Sequence, residues 1–258
     1  MTDHPLLEPD EPAPFAFENE AGGAAFFLTC DHGGRAIPRR LGRLGISEPD
    51  TFRHIAWDIG IAAVGRDLSA RLDAPLIMQH YSRLVIDCNR DPAVPSSIPE
   101  TSETTAIPGN RGLSAAARQA RIDGVFRPYH QCIEAALDRR RERGSASVLV
   151  ALHSFTPVFK GVSRPWHVGV LYNRDTRLAH RMLRLLRAES DLTVGDNEPY
   201  RVTDATDYTV PVHGERRGLP YLEIEIRQDL ITAPPGQAAW AARLARLLPT
   251  AYIEFQRG

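Results

Sequence analysis

The sequence predicts an α/β protein of three layers, with a mostly parallel or mixed sheet flanked by helices on both faces. Apolar runs of strand length alternate with longer stretches of helical spacing, and no internal repeat is visible. Several of those runs end abruptly at ionisable residues: 24–30 runs into Asp31-His32, 84–86 into Asp87, 148–152 into His153, and 222–224 into Glu225. In an open α/β sheet, ligands bind beyond the carboxyl ends of the strands, so these polar groups are expected to meet in one crevice.

In chain order, residues 1–21 carry Pro5, Pro9, Pro12 and Pro14 among many acids and read as an irregular lead-in. The rest, 22–258, reads as one domain. A first strand ends at Cys30. Apolar positions at Ile59, Ala62, Ala63, Leu68 and Leu72 then fit a helix, with Asp58 near its start, where a carboxylate complements the helix dipole. Residues 75–78 and 81–87 read as two short strands. Residues 91–112, rich in proline, serine and threonine, form a long loop expected to cover a substrate. The longest helical stretch is 113–143, open to a break or kink at Gly124 and Pro128. After the strand at 148–157 come a strand at 167–172, a helix from 176, a polar turn at 196–200, an irregular segment at 202–218, and a last helix from 237, interrupted at Pro249.

The chain has 258 residues, a 43% hydrophobic share and a formal net charge of -1, so a sizeable core is possible and no global attraction to nucleic acid or anionic membrane exists. No apolar run reaches the ~18 residues of a membrane span. The three cysteines, Cys30, Cys88 and Cys132, lack metal or redox spacing. Together these features suit a soluble protein of the reducing cytoplasm.

His32 and His153 stand at the ends of separate buried strands, the setting of a hydrolytic metal site. Such a site commonly uses two histidines and a carboxylate and leaves a position for water. Asp58 and Asp31 are the candidates for the carboxylate. Asp58 is preferred, because Asp31 neighbours His32 and would point to the opposite face of an extended strand. Glu223, Glu225 and Arg227 alternate onto one face, and Glu225 is assigned the proton transfer, against a structural ion pair with Arg227. Arg83 and Arg90 offer guanidinium forks to a substrate carboxylate, against salt bridges to Asp87 or Asp91.

The segments Cys30-Asp31-His32-Gly33-Gly34, Trp57-Asp58-Ile59-Gly60, Tyr81-Ser82-Arg83, Asp87-Cys88-Asn89-Arg90, Leu152-His153-Ser154-Phe155 and Gly195-Asp196-Asn197-Glu198-Pro199-Tyr200 resemble the N-formylglutamate amidohydrolase family, in the family's order. That family is similar in fold to the zinc carboxypeptidases and the succinylglutamate desuccinylase and aspartoacylase group. The resemblance implies zinc or another divalent metal at His32, Asp58 and His153, catalysis by Glu225, and substrate binding by Arg83, Asn89, Arg90 and Asn197. It also implies hydrolysis of N-formyl-L-glutamate, a small-molecule N-acyl amino acid, within histidine breakdown. One departure is that Arg35 stands where the carboxypeptidase pattern has a glutamate ligand. Another is Arg201-Val202 after Pro199-Tyr200, which leaves room for a different N-acyl amino acid. A non-catalytic binding module for acidic metabolites and a carboxypeptidase-like peptidase are the competing readings.

Overall fold

The structure, a computed structural model, describes residues 5–258; the first four residues of the expected lead-in lie outside them. Eleven strands and five α-helices follow in the order β1 Phe15–Glu18, β2 Phe26–Cys30, α1 Ile61–Leu72, β3 Leu76–Gln79, β4 Thr101–Ser102, β5 Thr105–Ala106, α2 Ala115–Arg121, α3 Arg127–Glu142, β6 Val148–Phe155, β7 Val158–Phe159, β8 Val162–Ser163, β9 Val168–Leu171, α4 Arg177–Arg187, β10 Val194–Asp196, β11 Tyr221–Arg227 and α5 Pro234–Gln256. Seven of the strands form one sheet in the order β1-β3-β2-β6-β11-β9-β10. Its centre, β3-β2-β6-β11, is parallel; β1 and β9 run antiparallel to their inner neighbours, so the sheet is mixed.

The central strands are apolar on both faces because both faces are covered. Leu28, Leu76, Val150 and Ile224 pack beneath α1, α4 and α5, through residues such as Leu68, Met182 and Leu244. Phe27, Ile77, Leu149 and Tyr221 face the other way, onto Tyr129, Ile133 and Leu137 of α3. Residues at the carboxyl ends of β2, β6 and β11 line one crevice. In the β6–β11 register Glu225 lies opposite His153.

Four local expectations are corrected. The lead-in holds a strand, β1, which completes the sheet edge by pairing with β3. Residues 81–87 are no strand, although Leu84, Val85 and Ile86 are fully buried. Their carbonyls are satisfied by side chains instead: Asn110 Nδ2 donates to Leu84 O at 2.9 Å and the buried Arg121 donates to Val85 O at 2.9 Å. Residues 210–217 are helical turns rather than irregular chain. The last helix runs unbroken through Pro249, because Leu244, Leu247, Leu248 and Ala251 on both sides of the proline are held in the core. At the expected kink in 113–143, the chain widens into a π-helical turn, Ile122–Phe126, between α2 and α3. Pro128 has no N–H to offer the carbonyl four residues back, which such a wider turn tolerates.

Candidate active site

Each histidine arrives by a different route. β2 delivers Asp31 and His32, and the chain then turns away through Gly33 and Gly34. A Cβ at Gly34 would fall 2.0 Å from the His80 carbonyl oxygen, so only glycine lets the turn pass. Asp58 comes from the loop before α1, tied by its N–H to His32 O at 3.0 Å. Gly60, at φ +83 and with Ile231 O where a Cβ would stand, ends that loop and admits the helix. Thus Asp58 precedes the helix rather than lying in its first turn. His153 lies within β6, and Ser154 donates its N–H to Asp58 Oδ2 at 3.2 Å.

The two imidazoles meet edge to face, ring centres 5.0 Å apart. His153 Nδ1 stands 3.0 Å from Asp58 Oδ2 and His32 Nδ1 3.5 Å from the same oxygen. One donor atom from each of His32, Asp58 and His153 lies within 4.8 Å of the others, and all three residues are buried. The opposite ring nitrogens are engaged by carboxylates: His32 Nε2 by Asp87 Oδ1 at 2.7 Å, and His153 Nε2 by Asp31 Oδ2 at 3.3 Å. Those carboxylates are themselves fixed. Asp87 takes Arg83 Nη2 at 2.7 Å and Asn89 N at 2.9 Å. Asp31 accepts from the Tyr129 hydroxyl at 2.7 Å and the Thr209 hydroxyl at 2.8 Å.

This donor set fits a divalent cation. His32 Nδ1 is buried without a hydrogen-bond partner, and carboxylates behind both histidines set ring orientation and tautomer as outer partners of metal ligands do. Two imidazoles and one carboxylate leave a fourth tetrahedral position free. Burial alone would raise Asp58, but the imidazoles of His32 and His153 hold it well below the usual carboxylate range. Burial alone would raise Asp31 too, but the imidazole of His153, 3.3 Å away, holds it down at about 2.

The cluster floors a cavity of about 470 Å³, also lined by Arg83, Arg90, Glu223 and Glu225. Glu225 Oε2 has no hydrogen-bond partner, and burial pushes its carboxyl up to about 7. Burial also pushes the Glu223 carboxyl well above the usual carboxylate range. The alternative ion pair of Glu225 with Arg227 does not form, since Arg227 turns to Asp229 at 2.8 Å. Arg83 faces the cavity but is balanced by Asp87 and, at 3.5 Å, by Asp58. Arg90 bonds Thr206 O. Asn89 lines the cavity with its amide spent on the loop opposite, donating to Asp207 Oδ1 at 3.2 Å and accepting from Tyr208 and Thr209 N–H at 3.0 Å.

Asn197 is not brought to the cavity: its Oδ1 accepts from Tyr172 N at 2.9 Å, fastening the β9–β10 edge. Arg35 lies over the Phe52 ring at 3.8 Å, so the position of the missing glutamate ligand is a surface stack and Asp58 stands at the cluster instead. The loop at 91–112 contributes Ser96, Pro99, Thr101, Ser102 and Glu103 to the cavity wall. Sequence reasoning did not give Asp87, Tyr129 and Thr209 their roles. Asp87 carries a signal, an acid closing an apolar run, whereas Tyr129 and Thr209 carry none.

A family model described as N-formylglutamate amidohydrolase matches residues 24–232. The crystal structure of a gene product of Agrobacterium tumefaciens is 38% identical, with 97% of this chain and 99% of that chain covered and a TM-score of 0.94. An N-formylglutamate amidohydrolase from Ralstonia eutropha is 23% identical, with 96% and 100% covered and a TM-score of 0.71, a likeness of fold. No curated protein matches the chain.

Proposed function

The chain belongs to the N-formylglutamate amidohydrolase family, and from that premise we propose that it hydrolyses the amide of an N-acyl amino acid, N-formyl-L-glutamate foremost, with zinc or another divalent cation held by His32, Asp58 and His153. The observation that carries this reading is the pair of imidazoles that turn one nitrogen to a carboxylate and the other toward Asp58. Bound there, such a cation supplies Lewis acidity and makes a water nucleophilic near neutral pH.

The chain's own groups do the rest. Asp87 and Asp31 hold the imidazoles in the tautomers that leave the inward nitrogens free to ligate. Glu225, unpartnered at Oε2 and poised at about 7, takes the proton of the attacking water and returns it to the leaving nitrogen. Arg83 and Arg90 orient a substrate carboxylate from one wall, and burial beneath the 91–112 loop restricts water around the reacting amide.

Two measurements test the reading: metal analysis of the purified protein, and formate release from a panel of N-formyl amino acids. About one metal per chain is expected, and His153→Ala should lose both metal and turnover. A fully active, metal-free protein would overturn it.

A further inference from the structure

The turn at 196–200 takes no part in holding the metal ligands, yet it is pressed against the site. Gly169 of β9 lies opposite Glu225 in the β9–β11 register, and a Cβ there would fall 2.0 Å from the Glu198 carbonyl oxygen and 3.5 Å from Glu225 Cβ. The absent side chain lets the turn lie beside Glu225, and Asn197 fastens it there through Tyr172 N. Two residues beyond Glu198, Tyr200 enters the wall of the cavity. The charges that act on its phenol are those of Glu225, Arg164 and Arg83.

The Tyr200 hydroxyl has one partner, Arg164, whose Nη1 stands 2.8 Å away. Arg164 lies outside the cavity wall and is only 8% exposed, and no Asp or Glu among the described residues pairs with it. Its guanidinium is 4.6 Å from the ring centre of Tyr200 and 4.6 Å from that of Phe159, so aromatic faces and one phenol oxygen stand in for a counter-ion. A guanidinium has donors only. The phenol oxygen therefore accepts from it, and the phenol proton must be given to something else. No acceptor among the described residues takes that proton. A hydroxyl that accepts from a cation is polarised into a stronger donor. Arg201 lines the same wall but is exposed, where water weakens what its charge can do.

We propose that Tyr200 is a catalytic residue, whose hydroxyl donates a hydrogen bond to the acyl oxygen of the substrate as negative charge develops there. Arg164 is the positioning residue that turns the proton of Tyr200 into the cavity. This inference rests on the hydrolysis proposed above and adds a donor to it. As the oxygen of water bonds to the acyl carbon, the carbonyl π pair moves onto the acyl oxygen; Tyr200 holds that oxygen and keeps its own proton. When the pair returns, the carbon–nitrogen bond breaks and the nitrogen leaves with the proton carried by Glu225, giving a carboxylate and a free amine.

The experiment takes metal-loaded wild type, Tyr200→Phe, Arg164→Gln and the double variant, and measures turnover of N-formyl-L-glutamate together with calorimetric binding of two probes. One probe is the H-phosphinate isostere of that substrate, with a tetrahedral PO2⁻ in place of the formyl group; the other is glutarate, which has nothing at that position. Tyr200→Phe should lower kcat on the order of 10²-fold with KM within a few-fold, and weaken the phosphinate about 10- to 100-fold while glutarate changes little. Arg164→Gln should give a smaller loss by itself and almost none on top of Tyr200→Phe, because its effect passes through the hydroxyl. The same Arg164→Gln loss in both backgrounds would make Arg164 a packing residue and overturn its assigned role. Unchanged kcat and phosphinate affinity in Tyr200→Phe, or equal weakening of both probes, would overturn the inference and leave the hydrolysis standing. Phosphinate binding that depends on Tyr200 without turnover of any N-acyl amino acid would sustain the donor and remove the proposed reaction instead. Tyr200→Phe keeps the ring that packs on Arg164, so it tests the donor even where melting temperatures show Arg164→Gln to be misfolded.

Discussion

Replacing Asp87 by asparagine keeps the side-chain shape and removes one charge behind His32. In the native arrangement Asp87 Oδ1 accepts from His32 Nε2 at 2.7 Å while Oδ2 accepts from Arg83 Nε at 3.1 Å and Nη2 at 2.7 Å. Both carboxylate oxygens therefore face donors, and an amide has only one acceptor to offer. If Asn Oδ1 faces His32, its NH2 meets the guanidinium donors. If the amide is flipped, NH2 donates to His32 Nε2, the imidazole proton moves to Nδ1, and the nitrogen that faces Asp58 no longer has a free lone pair. Either orientation disturbs the metal site without touching a ligand. The loss expected for an outer partner is roughly 10- to 100-fold in metal affinity, about 1.4–2.7 kcal/mol. Competition against a chelator of known affinity reads this directly, and kcat/KM at saturating metal shows how much activity returns. Wild-type metal affinity in Asp87→Asn, with the fold intact, would refute the argument that this carboxylate sets the tautomer of His32.

The remaining predictions concern proton transfer and the far side of the cluster. Glu225→Gln should lower kcat by ~10²–10⁴-fold while retaining the metal, because it removes the proton carrier and none of the ligands; a variant that loses its metal content would show that Glu225 acts structurally. Behind Asp31, His130 Nε2 meets Cys88 O at 2.8 Å and His130 Nδ1 meets His213 Nε2 at 2.9 Å. Each imidazole is therefore neutral, with the proton of His213 directed at His130. Burial holds His130 down at about 4 and His213 at about 3. Both folded values lie below the unfolded value of about 6.5, so the unfolded chain binds protons first. This part of the stability is complete above about pH 6.5 and falls as the pH drops toward 4 and 3. For His213 alone the loss from pH 6.5 to 5 is about 2 kcal/mol. Urea unfolding of wild type and His213→Gln over that range should show the wild type losing more, and parallel pH profiles would count against a neutral buried pair.

The comparisons support a family, and the geometry explains how that family's short motifs become one place. Asp31-His32, Asp58 and His153 are far apart in sequence, and each follows or interrupts an apolar run. That pattern was readable because burial on both faces makes a strand continuously apolar, so that a polar residue at its end stands out. The mixed, helix-covered sheet was readable for the same reason. The strand expected at 81–87 shows the limit of the signal: apolarity reports burial, and here Asn110 and Arg121 satisfy carbonyls that a neighbouring strand would otherwise serve. β1 was hidden by the reverse effect, since the prolines that lead into a short edge strand mask a segment whose pairing depends on β3 being there.

Local sequence thus determined which residues could be buried, where the chain had to turn at Gly34 and Gly60, and which donors were available to a metal. Tertiary structure alone decided which carboxylate stands among the two histidines and which stand behind them, and that Arg35 is a surface stack. It also decided that Asn197 serves a sheet edge rather than the cavity. The physical reason is that burial leaves a local mark in composition, whereas a side chain's partner is chosen by distances between segments up to 178 positions apart, as between Thr209 and Asp31, which leave none.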